Sequence, residues 1–300
     1  MIEHLRGLAA IADRYDGFIL DLWGVIHDGV APYPGAIDCL ARLRGAGKRA
    51  VLLSNAPRRA HVAQAGLRAM GIADDLYAAC MTSGEATHLA LRTRADPWFA
   101  ALGPRVFHLG PERDRSVLED LPLMLADGPA DADFVLNTGP DDTANPSDPA
   151  AFDAVLEDCR AASLPMLCAN PDLIVLRSGV RTVCAGTLAL RYRQMGGVVR
   201  MLGKPDPAIY APVLGLLGVP RARVLAVGDA LHTDVAGAAA AGIDACWVLG
   251  GIHGLTDRHP DAEAEARAEG LIPVATIPGF VWGDATARDS GLVSGGSRRG

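Results

Sequence analysis

Six cysteines (Cys39, Cys80, Cys159, Cys168, Cys184 and Cys246) lie scattered through 300 residues, with no C-x-x-C spacing and no histidine cluster beside them. That absence removes the usual frame for a zinc site or a disulfide scaffold, and the thiols read as small, reduced core residues. Long apolar runs are missing as well: no stretch approaches the roughly 20 residues that a membrane span needs. The amino end lacks the basic and apolar regions of a signal peptide, so the expectation is a cytoplasmic protein with no membrane partner. There is no excess of basic charge; the formal net charge is −7 and the isoelectric point about 5.6. Nucleic acid is therefore not the expected partner, although a small anion held through a metal is allowed. Aromatic residues are few, at 5%, and no internal repeat is visible.

What is present is a chain half of whose residues are apolar, enough to bury one large core or two modest ones. The opening segment IEHLRGLAAIADRY has helical spacing and stops at Asp16-Gly17. Apolar strands follow at 18–20 and 50–53, separated by the glycine-closed helix AIDCLARLRGAGK, which makes a βαβ unit with parallel strands. Pro57 opens a further helix that ends at Gly71, and MTSGEATHLAL starts another. From about Gly84 the chain runs through its own alternation of strands (106–110, 133–139, 165–170) and helices, so residues 84–198 are expected to form an inserted α/β domain. The first pattern resumes near Met201, with a helix capped by Asp206-Pro207, a strand 223–227, a helix stopping at Gly242 and the strand ACWVLG. The fold class is α/β: a Rossmann-like, doubly wound parallel sheet built from 1–83 and 199–283. Residues 257–270 read as a charged surface helix and 284–300 as a loose tail.

The chemistry sits where strands end. In FILDLWGVIHDG and VLAVGDALHTD, Asp21 and Asp229 each hang a carboxylate off an apolar run, as open parallel sheets do at reactive sites. A carboxylate attacks phosphorus well only when it is itself fixed and the phosphoryl charge is neutralised. Magnesium, which prefers oxygen ligands, does both. Asp21 and Asp229 are the expected ligands, with Asp234 beside or behind them. Ser54, followed by Asn55 at the end of VLLSN, would donate to a phosphoryl oxygen, and Lys204 of LGKPDP would balance the negative charge. Singly, each residue reads equally well as a turn former or a helix cap; the four in this order do not.

Those four stations, Asp21, Ser54, Lys204 and Asp229 with Asp234, resemble the four motifs of the haloacid dehalogenase superfamily. The insertion after TSGEA and before GKP, and the run CANPD, are similar to the superfamily's class II, subclass A capped phosphatases. The resemblance implies a Rossmann-like core, a mobile α/β cap, Mg2+ and a phosphoaspartyl intermediate on Asp21. It also implies a small phosphorylated, sugar phosphate-like substrate, a cap that pairs two copies into a homodimer, and Asn170 and Asp172 facing the site from the cap.

One departure stands out. The family's first motif is D-x-D, whose second aspartate protonates the leaving oxygen, and this chain has Trp23 there. Indole cannot do that work, although the Trp23 backbone carbonyl can still serve a metal. Three accounts are open: His27 or Asp28 substitutes as the acid; the leaving group is a weak base that needs none; or the protein is a phosphate-binding or regulatory module with impaired turnover. Non-ester chemistry is a further alternative, but the Asp229 and Asp234 pair favours phosphorus, and the inserted block has no lysine for an imine. Both His27 and Asp28 also read as loop-shaping residues. Arg58 could meet an anionic substrate, though a solvated arginine in a first helical turn is the plainer expectation, and CAGTLAL reads as a packing turn that opens a helix.

Overall fold

The computed structural model describes residues 2–141, 147–177, 180–251 and 262–283. In chain order the strands are β1 (Glu3–His4), β2 (Gly17–Leu20), β3 (Arg49–Ser54), β4 (Ala79–Thr82), β5 (Arg105–Leu109), β6 (Met124–Leu125), β7 (Phe134–Asn137), β8 (Met166–Cys168), β9 (Ile174–Arg177), β10 (Val180–Val183), β11 (Val199–Met201), β12 (Val224–Gly228), β13 (Asp244–Val248) and β14 (Ala275–Ile277). Seven form one parallel sheet in the order β1-β14-β13-β12-β2-β3-β4. Five form a second parallel sheet, β11-β8-β7-β5-β6, and β9 with β10 makes an antiparallel hairpin.

The large sheet is covered on both faces, which is why its central strands read as unbroken apolar runs. Phe18, Leu20, Leu52 and Val227 point into one core, and Ile19, Val51, Leu53 and Ala226 into the other, with the period of two that a pleat demands. The second sheet repeats the arrangement, with Val135, Met166 and Cys168 on one side and Phe134, Leu136 and Leu167 on the other.

Strand order decides where the site lies. From β2 the chain winds outward through β3 and β4, and from β12 it winds the opposite way through β13 and β14. The reversal falls between the adjacent strands β2 and β12, and a crevice outside the carboxyl ends of strands at such a reversal is the standard ligand position of an open α/β sheet. Leu20 pairs with Val227, and the Asp21 amide continues the ladder to the Val227 carbonyl at 3.0 Å. Asp21 and Asp229 therefore emerge side by side.

Three local expectations need correction. Residues 2–15 do not form one helix: Glu3–His4 adds to the sheet beside Ala275 and Thr276, and only Ala9–Ala12 is helical. The partner strand is some 270 residues away, beyond the reach of local periodicity. Ala79–Thr82 is an edge strand beside β3 and not simply the approach to a helix, with Thr82 ending the strand and capping the helix Ser83–Thr93 through the Glu85 amide. Val199–Met201, read as the core side of the boundary, pairs with β8 in the second sheet, because a three-residue strand carries no mark of which sheet will take it. The helix Ser83–Thr93 likewise serves both parts: Ala86 and Leu89 pack on the large sheet's core, Leu91 on that of the second. Of the charged segment 257–270, the described part contains the helix Ala262–Ala268; residues 252–261 and the tail 284–300 lie outside the described residues. No helix among the described residues is long and apolar enough to cross a membrane.

Candidate active site

Asp21, Asp229 and Asp234 are all buried, and one carboxylate oxygen from each lies within 4.8 Å of the others. Lys204 closes the cluster, its Nζ standing 2.7 Å from Asp21 Oδ1 and 2.7 Å from Asp234 Oδ1. It is one of only two lysines in the chain, where arginine is the usual cation. Its compact ammonium meets both carboxylates with one nitrogen.

Burial pushes the Asp21 carboxyl upward, and Asp234 and Asp229 add to the shift while Lys204 opposes it. Burial alone would lower Lys204, but Asp21 and Asp234 outweigh it and hold the ammonium well above its ordinary range. Three carboxylates against one ammonium leave an excess of negative charge in a dry place. All the facing donors are oxygen, and such a set suits a hard divalent cation. The backbone makes room for it. Gly24 has φ +82, and a Cβ there would fall 1.9 Å from Asp229 Oδ2; one on Gly251 would fall 2.2 Å from the same oxygen.

Asp234 reaches the cluster through an unusual turn. The segment Leu231–Val235 is wound as a wide, π-type turn in which both the Asp234 and Val235 amides donate to the Ala230 carbonyl, at 2.9 and 3.3 Å. Wide turns of this kind are enriched at functional sites. Asp234 Oδ2 accepts from the Ala230 amide at 3.1 Å, and the Asp229 carbonyl accepts from the buried Trp247 indole at 2.9 Å. Both links fix the loop after β12.

Ser54 ends β3 at the same crevice, 5% exposed. Asn55 beside it is a clamp. Its Oδ1 accepts from the Lys204 amide at 2.7 Å, and its Nδ2 donates to the Lys204 carbonyl at 3.1 Å and to Asp172 Oδ1 at 2.7 Å. One core side chain thus grips the lysine backbone and the inserted domain together. The loop that carries Ser54 is held by the TSGEA segment: Ser83 Oγ donates to the Ala56 carbonyl at 3.0 Å, and a Cβ on Gly84 would strike the Arg58 backbone at 2.3 Å. In the sequence TSGEA reads as a helix start and a boundary marker, and this bracing role is not visible there.

From the inserted domain, Pro171, Asp172, Leu173, Ile174 and Val175 close over a cavity of about 390 Å3, whose floor includes Asp21, Trp23, Ser54, Lys204 and Asp229. Asn170 turns its Oδ1 back to the Asp172 amide at 3.0 Å and lines a neighbouring chamber, so it shapes the Asn-Pro-Asp turn. The CAGTLAL turn packs as expected: a Cβ on Gly186 would sit 2.2 Å from the Pro171 carbonyl oxygen. His232 and Thr233 stand at the cavity wall, and the exposed His232 went unnoticed in the sequence because it falls between Asp229 and Asp234, which drew the attention.

Trp23 lines this cavity too, its ring wedged into its own loop. A Cβ on Gly29, which has φ +91, would fall 2.1 Å from the indole, and the His27 ring meets it edge-on at 5.7 Å. His27 Nδ1 accepts from the Gly29 amide at 2.9 Å, which leaves the ring proton on Nε2. Burial lowers His27 to about 4, so the ring is neutral near pH 7. It lines a separate cavity behind Trp23, with Arg58, Val62 and Met70, and not the one that holds Asp21. The geometry thus gives no support to His27 as a substitute acid. Asp28 is a turn residue whose Oδ1 accepts from the Val30 and Ala31 amides, each at 2.8 Å.

Residues 18–123 match the haloacid dehalogenase-like hydrolase family and residues 201–272 a HAD-hydrolase-like family. Human chronophin is 30% identical over 280 residues, covering 85% of this chain and 88% of its own. A crystal structure of a haloacid dehalogenase-like hydrolase from Brucella suis 1330 superposes with a TM-score of 0.79 at 32% identity, over 92% of this chain and 99% of that one. Glycerol phosphate phosphatase from Mycobacterium tuberculosis, solved in complex with calcium, superposes with a TM-score of 0.60 at 25% identity, over 81% of this chain and 68% of that one.

Proposed function

Since the chain belongs to the haloacid dehalogenase-like hydrolases, in their capped phosphatase branch, we propose that it is a Mg2+-dependent hydrolase of small phosphorylated metabolites whose leaving group is a weak base. The observation that carries this reading is the cluster of Asp21, Asp229, Asp234 and Lys204 at the sheet's reversal point. Asp21, Asp229 and Asp234 would hold the cation, with the Trp23 backbone carbonyl as a further oxygen donor. Bound there, Mg2+ would neutralise phosphoryl charge and fix the attacking carboxylate.

An Asp21 oxygen attacks phosphorus in line, a bond forms from carboxylate to phosphorus, and the ester oxygen leaves with the bonding electrons. Ser54 donates to a phosphoryl oxygen, and Lys204 offsets charge gathering between Asp21 and the phosphoryl group. Water then attacks the phosphoaspartate phosphorus; the phosphorus–oxygen bond to Asp21 breaks, its electrons return to the carboxylate, and the proton lost by the water leaves on the inorganic phosphate, since Trp23 offers no base to take it. The inserted domain, tied to the core through Asp172 and Asn55, keeps bulk water from the acyl phosphate until that step.

Trp23 sets the substrate preference. A positioned acid is worth about 10²- to 10⁴-fold in rate, and the indole supplies none, so acyl or aryl phosphates are favoured over alkyl esters. The test is phosphate release from a panel of such esters. Mg2+-dependent turnover that disappears in Asp21→Asn is the expected result. Binding of the panel with no release from any member would establish instead the phosphate-binding module, the reading to which the missing acid gives its weight.

A further inference from the structure

Beside the catalytic cavity lies a smaller chamber of about 100 Å3, and Trp23, Ser54, Asp172 and Val175 line both. The two spaces meet at these four residues, so a leaving group on a phosphoryl group beside Ser54 can reach the second space past the Trp23 ring. Arg58 enters it from the core side. Its side chain, which also borders the cavity of His27, is less solvated than the sequence leads us to expect: it is 31% exposed, and Nε is buried with no hydrogen-bond acceptor among the described residues. A buried charged donor left unsatisfied is costly, and a ligand that accepts from it would remove that cost.

The carboxylates of the lining do not fill that role. Asp172 accepts from Asn55. Asp114, 3% exposed, stands 3.5 Å from Arg58 Nη2, close enough to orient the guanidinium and too far to saturate it. Arg113 adds a second guanidinium to the lining. The remaining walls include Val175, Val183 and the Trp23 ring, which suit the flat apolar body of a leaving group.

The geometry points to a substrate with two anionic ends: the phosphoryl group at Asp21, and on the leaving group a second compact anion, carboxylate or phosphate, received by Arg58. This rests on the hydrolase reading above for its placement of the phosphoryl group, and it narrows the substrate class to aryl or acyl phosphates that carry a second anionic group on the leaving group.

The test compares phenyl phosphate, 4-carboxyphenyl phosphate and 1,4-phenylene bisphosphate. Turnover is measured on the Mg2+-loaded protein, and binding by calorimetry on Asp21→Asn. The doubly anionic compounds are expected to show about tenfold or greater preference over phenyl phosphate, both in kcat/KM and in affinity. Arg58→Gln should bring that ratio to within about twofold of unity, and Arg58→Lys should keep part of it, since charge survives without the fork. Whether the carboxylate or the bisphosphate gains more identifies the anion. Equal handling of all three compounds by the unsubstituted protein overturns the proposal, as does a preference that Arg58→Gln leaves intact. Should Arg58→Gln fail to fold, the ratios in the unsubstituted protein and in Arg58→Lys still decide. Preference in binding without turnover of any ester removes the hydrolase reading and keeps the anion subsite; turnover without preference does the reverse.

Discussion

The two sides of the candidate site are built on opposite terms. Around the Lys204 ammonium the chemistry is carried by buried charges, and each of the carboxylates Asp21 and Asp234 stands 2.7 Å from it. Around Trp23, a few residues away in sequence, nothing titrates usefully near neutral pH: the indole carries no acid, and burial holds His27 neutral. In the proposed reaction the first side would hold and transfer a phosphoryl group, while the second has the packing of a binding wall at the position where a D-x-D motif would place its acid. Charge stabilisation and proton transfer, usually discussed as one catalytic apparatus, are here separable parts.

The largest effect should come from breaking the charged side. Lys204→Met leaves buried carboxylates facing one another without a cation, and loss of one partner from a buried ionic group costs about 3–5 kcal/mol. Chemical denaturation without divalent metal should show that loss. A stability unchanged from the parent would mean that Lys204 does not compensate the cluster.

Restoring the proton to the other side is the next test. Trp23→Asp should raise kcat/KM for alkyl phosphates relative to aryl phosphates by about 10²-fold, the lower end of what a positioned acid supplies. Trp23→Asn, similar in size but without a proton to give, is the control. A parallel change in both variants would place the effect in the lost indole and sink the missing-acid argument.

A smaller effect follows from burial of the neutral histidines. His27 and His108 are both lowered to about 4 from an ordinary 6.5, burial being the main cause in each. As pH falls through 6.5 the unfolded chain takes up protons that the folded one refuses, so stability declines from pH 6.5 toward 4. Each histidine contributes about 2 kcal/mol of loss between pH 7 and 5. His27→Asn keeps an acceptor for the Gly29 amide and should remove its share of the slope while leaving that of His108. Titration of folding free energy against pH reads this directly. A pH–rate profile that moved in the same variant would return His27 to the list of acids.

These contrasts also mark what could be read in advance. Asp21, Ser54 and Asp229 were legible because each follows a strongly apolar strand, and Lys204 because it precedes a helix capped by Asp206-Pro207; the order of strands does the rest. The Trp23 anomaly was legible as a residue identity, but its consequence was not. That the ring would be seated against Gly29 and His27, with the histidine turned to a separate cavity, depends on a loop whose φ values no periodicity reports. Long-range pairings were hidden for a different reason. The strands at Glu3–His4 and Val199–Met201 are two and three residues long, and each takes its structure from a partner remote in the chain. The role of Asn55 was hidden in the same way, since both its partners, Lys204 and Asp172, arrive from more than 100 residues away.

That side chain offers the finest test of how far the two sides communicate. Asn55 accepts from the Lys204 amide and donates to Asp172 on the inserted domain, so the inserted domain's contact with the core and the placement of the lysine share one amide group. If the link matters, Asp172→Ala should loosen closure without touching the charged cluster itself, raising KM by about three- to tenfold, the worth of a single hydrogen bond, with kcat little altered. Asp172→Asn can still accept from Asn55 Nδ2 and should restore most of the loss. Were Asp172→Ala to lower kcat as strongly as it raises KM, the hydrogen bond would be part of how Lys204 is held during reaction, and the cap would belong to the charged side of the site and not merely to its lid.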